Sequence, residues 1–341
     1  MAPFSFLPRC NPISVLKKSP NKVQPGDPVL TAAATALGAL SPRKTLLVGV
    51  SGGRDSMVLL HVLKELGFQK IVVCHLDHTL RGRVSAADGQ FVARQAQKLG
   101  CKLEQACAHT SDYAAQTKKS LELAARGLRQ TFFEACAKRR RCSNLLLAHH
   151  ADDQVETCLF NFLRGTGAAG LGGMRPVTTM GRLTVWRPLL GVTRAEIIRY
   201  QESRRIAHRE DASNAETLHT RNKLRHGVIP AIEAVFGPSF SGAVLRAAEI
   251  LREEEDWMSS LVPAPVKELS CKELRAMHPA LRSRTVLRWL RAAGIPEAGR
   301  QETLRVLLLL EPDGSPAKVS LPGKSHARRR NGVLFLEKHT E

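Results

Sequence analysis

An apolar run, Thr45 to Val50, ends in Ser51-Gly52-Gly53-Arg54-Asp55-Ser56 and passes directly into a helical pattern. A buried strand that delivers two glycines into a helix start makes a backbone cradle for an anion. The glycines permit positive φ and close amide approach, and the helix opening near Ser56 adds the positive end of its dipole. Strand-to-helix turns also use glycine for plain turn chemistry. Asp55 separates the two readings, because a carboxylate beside a phosphate cradle is repulsive unless a divalent cation lies between them. The turn therefore points to a nucleotide polyphosphate carried with magnesium, and to ATP in particular. The kinase-type loop G-x-x-x-x-G-K-[ST] is missing: Gly323-Lys324-Ser325 has Lys318 where the first glycine belongs, and reads as a turn. With no loop lysine on the terminal phosphates, cleavage between the α and β phosphates is more natural than γ-phosphate transfer.

Between Thr45 and Ala148, short apolar runs near 45–50, 70–74, 102–106 and 144–148 alternate with helical patterns. This is the βαβ rhythm of a parallel sheet with right-handed crossovers. Helices are expected over about Ser56–Leu66, stopped by Gly67, and about Ala86–Leu99, stopped by Gly100. Such sheets bind ligands beyond the carboxyl ends of their strands, so Ser51, His75 to His78 and His149 to Asp153 should meet in one crevice. Residues 164–174 carry too many glycines for a helix and read as a mobile loop. Thr193 with Glu196 forms a capping box opening a helix to about Arg204, and a further helix spans about Arg221–Val235 before Gly237-Pro238 breaks it. The fold class is α/β. A basic, disordered leader is expected over 1–28, a parallel-sheet, Rossmann-like nucleotide-binding catalytic domain over 29–237, and a smaller, mainly helical α+β domain over 238–341 with strands at Lys318–Leu321 and Val333–Glu337.

The 341 residues are 43% hydrophobic, enough for a substantial core, and carry a formal net charge of +20. A cationic field of that size favours a polyanion, nucleic acid first. Aromatics at only 5% direct the expectation to phosphate contact and RNA shape rather than base stacking. The basic runs Lys138–Arg141 and Arg328–Arg330 read as solvated or RNA-facing. Eight cysteines contain no C-x-x-C pair, which disfavours a zinc ribbon and suits reduced, packed thiols without disulfides. No apolar stretch reaches membrane-span length, so no membrane partner is expected. Residues 1–26 lack acidic side chains but hold Arg9, Lys17, Lys18 and Lys22, a composition shared by the basic leader of a cytoplasmic protein and by a plastid transit peptide. Cytoplasmic placement is the expectation, the plastid its alternative, and a homodimer is left open.

His149-His150-Ala151-Asp152-Asp153-Gln154-Val155-Glu156-Thr157 follows a buried strand and opens a helix, which puts Asp153 and Glu156 on one helical face toward the crevice. Acidic residues in a first turn commonly just complement the helix dipole; alignment with the cradle favours a chemical role here. Leu121, Ala125, Leu128 and Phe132 make an apolar stripe that leaves Arg126 and Arg129 together on another face. The string His75-Leu76-Asp77-His78 with Arg81 has metal-ligand composition but reads as a polar loop beyond a strand, and no zinc is assigned. Arg221, Asn222, Arg225 and His226 stand at helical spacing, a pattern that by itself laces a surface.

The cradle resembles that of the PP-loop ATP pyrophosphatase superfamily. Taken with Cys74 to Gly82, His149 to Thr157 and Arg164-Gly165, in that order and spacing, it is similar to the tRNA(Ile)-lysidine synthetase family. Trp186 to Leu190, Asp211 to Asn214 and Thr220 to His226 resemble later blocks of that family, and the likeness covers about 44–238. It implies an ATP-dependent, AMP-forming carbon–nitrogen ligase. The C2 oxygen of the wobble cytidine in a CAU-anticodon tRNA(Ile) is adenylated, pyrophosphate leaves, and L-lysine displaces AMP to give lysidine. The product reads AUA instead of AUG and carries isoleucine rather than methionine identity. The chemistry is coherent, since cytosine C2 is a urea-like carbonyl carbon whose oxygen must become a leaving group before an amine attacks.

On that resemblance Ser51, Gly52, Gly53, Arg54, Asp55 and Ser56, with His78, Arg126 and Arg129, bind ATP, and Asp55 and Asp153 share magnesium. Asp77 joins His78 near the nucleotide, His149 stabilises charge at the α-phosphate, and Arg129 serves phosphate or transition state. Asp153 and Glu156 take the lysine ammonium and its proton, with Glu156 the amine partner if Asp153 holds the metal and the reverse left open. Arg221 binds the lysine carboxylate, and Arg81, Arg221, Asn222, Arg225 and His226 contact tRNA. Gln130 replaces the family's usual tyrosine, and Arg54 stands where relatives often have an uncharged residue. The region after 238 resembles the family's first tRNA-binding domain, and the further terminal domain of longer relatives is expected to be absent. A PP-loop tRNA thiolase is the nearest rival, disfavoured by the missing cysteine pairs. A non-catalytic RNA-binding module is disfavoured by the intact carboxylates.

Overall fold

The structure, a computed structural model, describes residues 5–6, 26–79, 83–209, 220–311 and 316–338. Its strands begin with β1 (Ser5–Phe6), β2 (Thr45–Gly49), β3 (Lys70–Asp77), β4 (Lys102–Cys107), β5 (Asn144–Leu146), β6 (Val177–Met180) and β7 (Leu183–Trp186). These form one sheet in the order β1-β4-β3-β2-β5-β7-β6, parallel from β4 to β7, with β1 and β6 antiparallel at the edges. Successive strand residues point to opposite faces, so each central strand feeds two cores. Leu46, Val48, Ile71, Val73 and Leu146 pack on one face with residues of α1 (Pro28–Leu37), α2 (Arg54–Glu65), α3 (Arg83–Lys98) and α8 (Arg194–Ser203). Leu47, Val72, Cys74, Leu145 and Val185 pack on the other against Phe132, Phe133 and Cys136 of α5 (Leu121–Arg140). A short α4 (Thr110–Thr117) precedes α5. From β2 the chain winds outward to β3 and β4, then restarts on the other side at β5. The carboxyl ends of β2 and β5 therefore bound the crevice where open α/β sheets place ligands.

Several expectations are corrected. Ser5–Phe6, inside the segment expected to be a disordered leader, is a strand paired with β4. The glycine-rich 164–174 segment is not simply a loop, because it contains the helical turn α7 (Ala168–Leu171) and is tied to α6 (Ala151–Leu163). Asn161 Nδ2 donates to the Gly170 carbonyl at 2.7 Å, and the Gln154 side chain donates to Met174 O at 2.9 Å and accepts from Met174 N at 2.7 Å. In the run Lys138–Arg141, Arg139 and Arg140 are not merely solvated: both grip the buried Glu104, at 2.7 and 2.6 Å. The Thr193–Glu196 capping box forms as expected. The helix expected at Arg221–Val235 is α9 (Thr220–Lys223), a π turn (Leu224–Val228) and α10 (Ile229–Phe236), ending at Gly237 with φ +80.

Contacts divide the chain into Met1–Ala248 and Glu249–Glu341, inside α11 (Ser239–Ser260), whereas the Gly237-Pro238 break precedes that helix. The second unit has β8 (Leu269–Ser270), β9 (Lys318–Leu321), β10 (Ser325–Arg330) and β11 (Val333–Lys338), antiparallel in the order β8-β11-β10-β9. With α12 (Cys271–Ala276), α13 (Pro279–Ala292) and α14 (Arg300–Leu307) they bury Leu274, Val286, Trp289, Leu290, Val306 and Leu334. Gly323 and Lys324, at φ +72 and +53, make the expected turn. Arg328–Arg330 is not a free basic run but the end of β10: Arg328 pairs with Glu337 at 3.0 Å and Arg329 donates to Leu309 O at 2.9 Å. Among the described residues no single helix is long and apolar enough to cross a membrane, and none of the seven described cysteines is in a disulfide.

Candidate active site

The cradle is built as its composition requires. Gly52 takes φ +97, and a Cβ there would stand 3.3 Å from Val92 Cγ2, so both backbone sign and space favour glycine. Ser51 and Ser56 hydroxyls share a hydrogen bond of 3.2 Å, Gly53 N donates to Ser51 Oγ at 3.2 Å, and Ser56 Oγ donates to Gly53 O at 2.9 Å. The turn is thus cross-braced before Asp55 enters the first turn of α2. A cleft of about 760 Å³ lies over it, reached by His78, Arg129 and His149 as well as by the cradle itself.

At the opposing strand end, α6 starts from His150, whose extended backbone (φ −128, ψ −177) turns its ring inward. His150 is 2% exposed. Its Nε2 lies 3.6 Å from both Asp55 Oδ2 and Asp153 Oδ2, its Nδ1 lies 3.5 Å from Asp152 Oδ2, and its backbone N donates to Asp153 Oδ2 at 3.0 Å. Burial disfavours a charged ring, yet the carboxylates of Asp152, Asp55 and Asp153 around it raise its pKa to about 10. Burial likewise pushes Asp55 upward, but His150, then Arg194 and Arg54, hold it below its ordinary value. His150 is the central residue that the sequence did not single out.

His149 has the opposite character. Burial, reinforced by the charges of Arg187, Arg129 and Arg221 against the pull of Asp153, lowers its pKa to about 4, and its Nδ1 is buried without a hydrogen-bond partner. A neutral imidazole therefore faces the cleft, and the positive charge around it belongs to the arginines. His78 is also lowered to about 4, by burial and Arg129, and its Nδ1 bonds Thr110 Oγ1 at 2.9 Å. Arg129 lines the cleft. Arg126 acts on Arg129 and Arg187 through its charge and is not among the residues lining the cleft. Asp77 is used locally, accepting Thr79 N at 2.7 Å. Arg81 and Asp211–Asn214 lie outside the described residues.

Glu156 and Asp153 do share one face, and Arg225 occupies both. Its Nε donates to Glu156 Oε1 at 2.5 Å and its terminal nitrogen to Asp153 Oδ1 at 3.1 Å. Arg225 was expected on an RNA-facing surface; the π turn at Leu224–Val228 instead directs it inward. Burial lifts the Glu156 pKa above its ordinary value, and Arg225 opposes that rise. Arg221 and His226 are exposed, with the Arg221 guanidinium 5.9 Å from the Phe160 ring, while Asn222 is half-buried. The cleft also takes in Arg194, His208 and Arg209, none of which the sequence singled out.

Residues 29–232 match the family described as PP-loop domain. The chain belongs to the PP-loop family. Beyond the PP-loop domain, residues 269–335 match the TilS substrate binding domain. Curated PP-loop relatives include the tRNA(Ile)-lysidine synthase of Solibacter usitatus, 40% identical over 229 residues, covering 67% of this chain and 49% of that protein. The tRNA(Ile)-lysidine synthase of Bacillus subtilis is 38% identical over 221 residues (64% and 46%), and that of Bacillus licheniformis 31% over 309 residues (85% and 64%). The chain spans about half the length of the first two. Among solved structures, the U34-tRNA thiolase NcsA from Methanococcus maripaludis shares the fold with a TM-score of 0.54 at 15% identity, over 66% of this chain and 78% of that one.

Proposed function

We propose that the protein is a tRNA(Ile)-lysidine synthetase that adenylates the C2 oxygen of the wobble cytidine in CAU-anticodon tRNA(Ile) and then joins L-lysine to C2, releasing pyrophosphate and AMP. The observation that carries the reading is the meeting of a braced glycine cradle with two helix-borne carboxylates across the β2–β5 crevice. The lysidine synthase relatives and the substrate-binding match at 269–335 support it. The fold shared with a tRNA thiolase does not favour sulfur transfer, because this chain has no C-x-x-C pair.

The residues divide the work by charge. Backbone amides of Ser51–Gly53 and the Ser56 hydroxyl receive phosphate oxygens, and Arg129 compensates charge as the α-phosphate is attacked. Neutral His149 contributes a hydrogen bond there rather than a charge. Asp55 and Asp153 each hold an oxygen 3.6 Å from the same His150 nitrogen, and magnesium held largely by phosphates would take those two oxygens in place of the His150 cation. Bound there, the ion would neutralise the triphosphate. Glu156, lifted by burial yet paired, is placed to receive the proton that the lysine ammonium must lose before its amine attacks. The exposed arginines at 221 and 126 and the net charge of +20 suit a tRNA partner.

The test is incubation with ATP, radiolabelled lysine and a CAU-anticodon tRNA(Ile) transcript. Label in the RNA with matching AMP and pyrophosphate is expected; no transfer rejects the proposal.

A further inference from the structure

We infer that Arg194, His208 and Arg209, together with Arg54, form the subsite that holds the β- and γ-phosphates and then the departing pyrophosphate. This rests on the ATP reading above and adds a direction to it. The cleft is chemically two-sided. Cys74, Leu76, Phe133 and Leu147 belong to the sheet face packed by α5, and offer an apolar slot for a base. The four cationic or imidazole side chains belong to the other face. Arg54 and Arg194 open α2 and α8, and Arg209 pairs with Asp88 of α3. The cradle crosses between these faces as β2 turns into α2, so a nucleotide with its base against Phe133 runs its phosphates toward Arg54 and Arg194.

Three details mark this group as more than a surface clasp. Arg209 N donates to Gly52 O at 3.0 Å, which fixes the segment directly on the phosphate loop. Arg54 meets His208 Nε2 at 3.4 Å, a nitrogen rather than a carboxylate, and its own Nε is buried without a hydrogen-bond partner. Asp88 is the single carboxylate ion-paired to any of the four among the described residues. Such a group is suited to charge that grows on the leaving side. When cytidine O2 bonds to the α-phosphorus, the bond from that phosphorus to the α–β bridging oxygen breaks. The electron pair departs with pyrophosphate, and the cytosine ring carries the positive charge.

The experiment uses the full chain and two probes, inorganic pyrophosphate and AMP, titrated separately by calorimetry into wild type, Arg194→Gln and His208→Gln. Pyrophosphate affinity should fall about tenfold in Arg194→Gln and less in His208→Gln, with AMP affinity held within about twofold as the control for an intact site. Unchanged pyrophosphate affinity in both variants, or parallel loss of AMP, overturns the inference. A wild type that binds both probes but transfers no lysine sinks lysidine synthesis and leaves the subsite standing. Binding of neither probe ends both readings.

Discussion

Replacing His150 with glutamine removes the cation shared by three aspartates, and the structure sets the size and sign of the effect. The imidazole is 2% exposed and stands 3.5–3.6 Å from Asp55, Asp152 and Asp153. Its pKa rises from 6.5 to about 10 despite burial. At ~1.4 kcal/mol per tenfold change in proton affinity, that rise has a ceiling of about 5 kcal/mol. Asp55 and Asp152 are 42% and 47% exposed. Solvent screening on their side brings the contribution to about 2–3 kcal/mol. The folded chain holds the proton more tightly than the unfolded one, so this stability is complete below about pH 6.5, falls as pH rises, and is gone by about pH 10. Urea unfolding of wild type and His150→Gln, without nucleotide or divalent ions, should show a gap of about 2–3 kcal/mol near pH 6 that closes toward pH 10. A gap that does not change with pH would mean a neutral ring and would refute the charge assignment.

Gly52→Ala places a side chain at φ +97 and 3.3 Å from Val92 Cγ2; a loss of about 1–2 kcal/mol in urea unfolding and weaker AMP binding are expected. Arg225→Gln removes the group that opposes burial at Glu156. The carboxyl then holds its proton to higher pH, and the acid limb of kcat/KM for lysine should move to higher pH, with Arg225→Lys restoring most of it. Asp55→Asn and Glu156→Gln keep shape and remove charge, so turnover in the labelled-lysine assay should drop by about a hundredfold or more while far-UV circular dichroism stays unchanged.

The parallel sheet is legible in the chain because its central strands are short apolar runs whose alternate residues, Leu46 and Val48 against Leu47, serve two cores. The cradle and the Asp153–Glu156 face are legible because each is local, set by consecutive residues or one helical turn. His150 is not, since adjacent histidines at a helix start look alike until the extended N-cap backbone turns one inward and leaves the other on the cleft. The inward turn of Arg225 depends on a π turn that breaks the helical phase on which sequence spacing relies. Arg194, His208 and Arg209 come from a segment far along the chain, joined to the loop by the Arg209–Gly52 backbone bond. β6 and β7 are four residues each, too short for a period to show. Long aliphatic stems allow Arg328 and Arg329 to sit in a strand that composition assigns to a solvated run.

In the proposed function this crevice makes a nucleobase oxygen expellable by adenylating it. The direct measurement is incubation of the chain with tRNA(Ile) bearing CAU and ATP labelled in the α-phosphate, with lysine withheld, followed by a lysine chase. Labelled adenylate should form on the RNA and the chase should convert it wholly to AMP; label emerging as ADP, or RNA that never carries it, would rule out adenylation of the nucleobase.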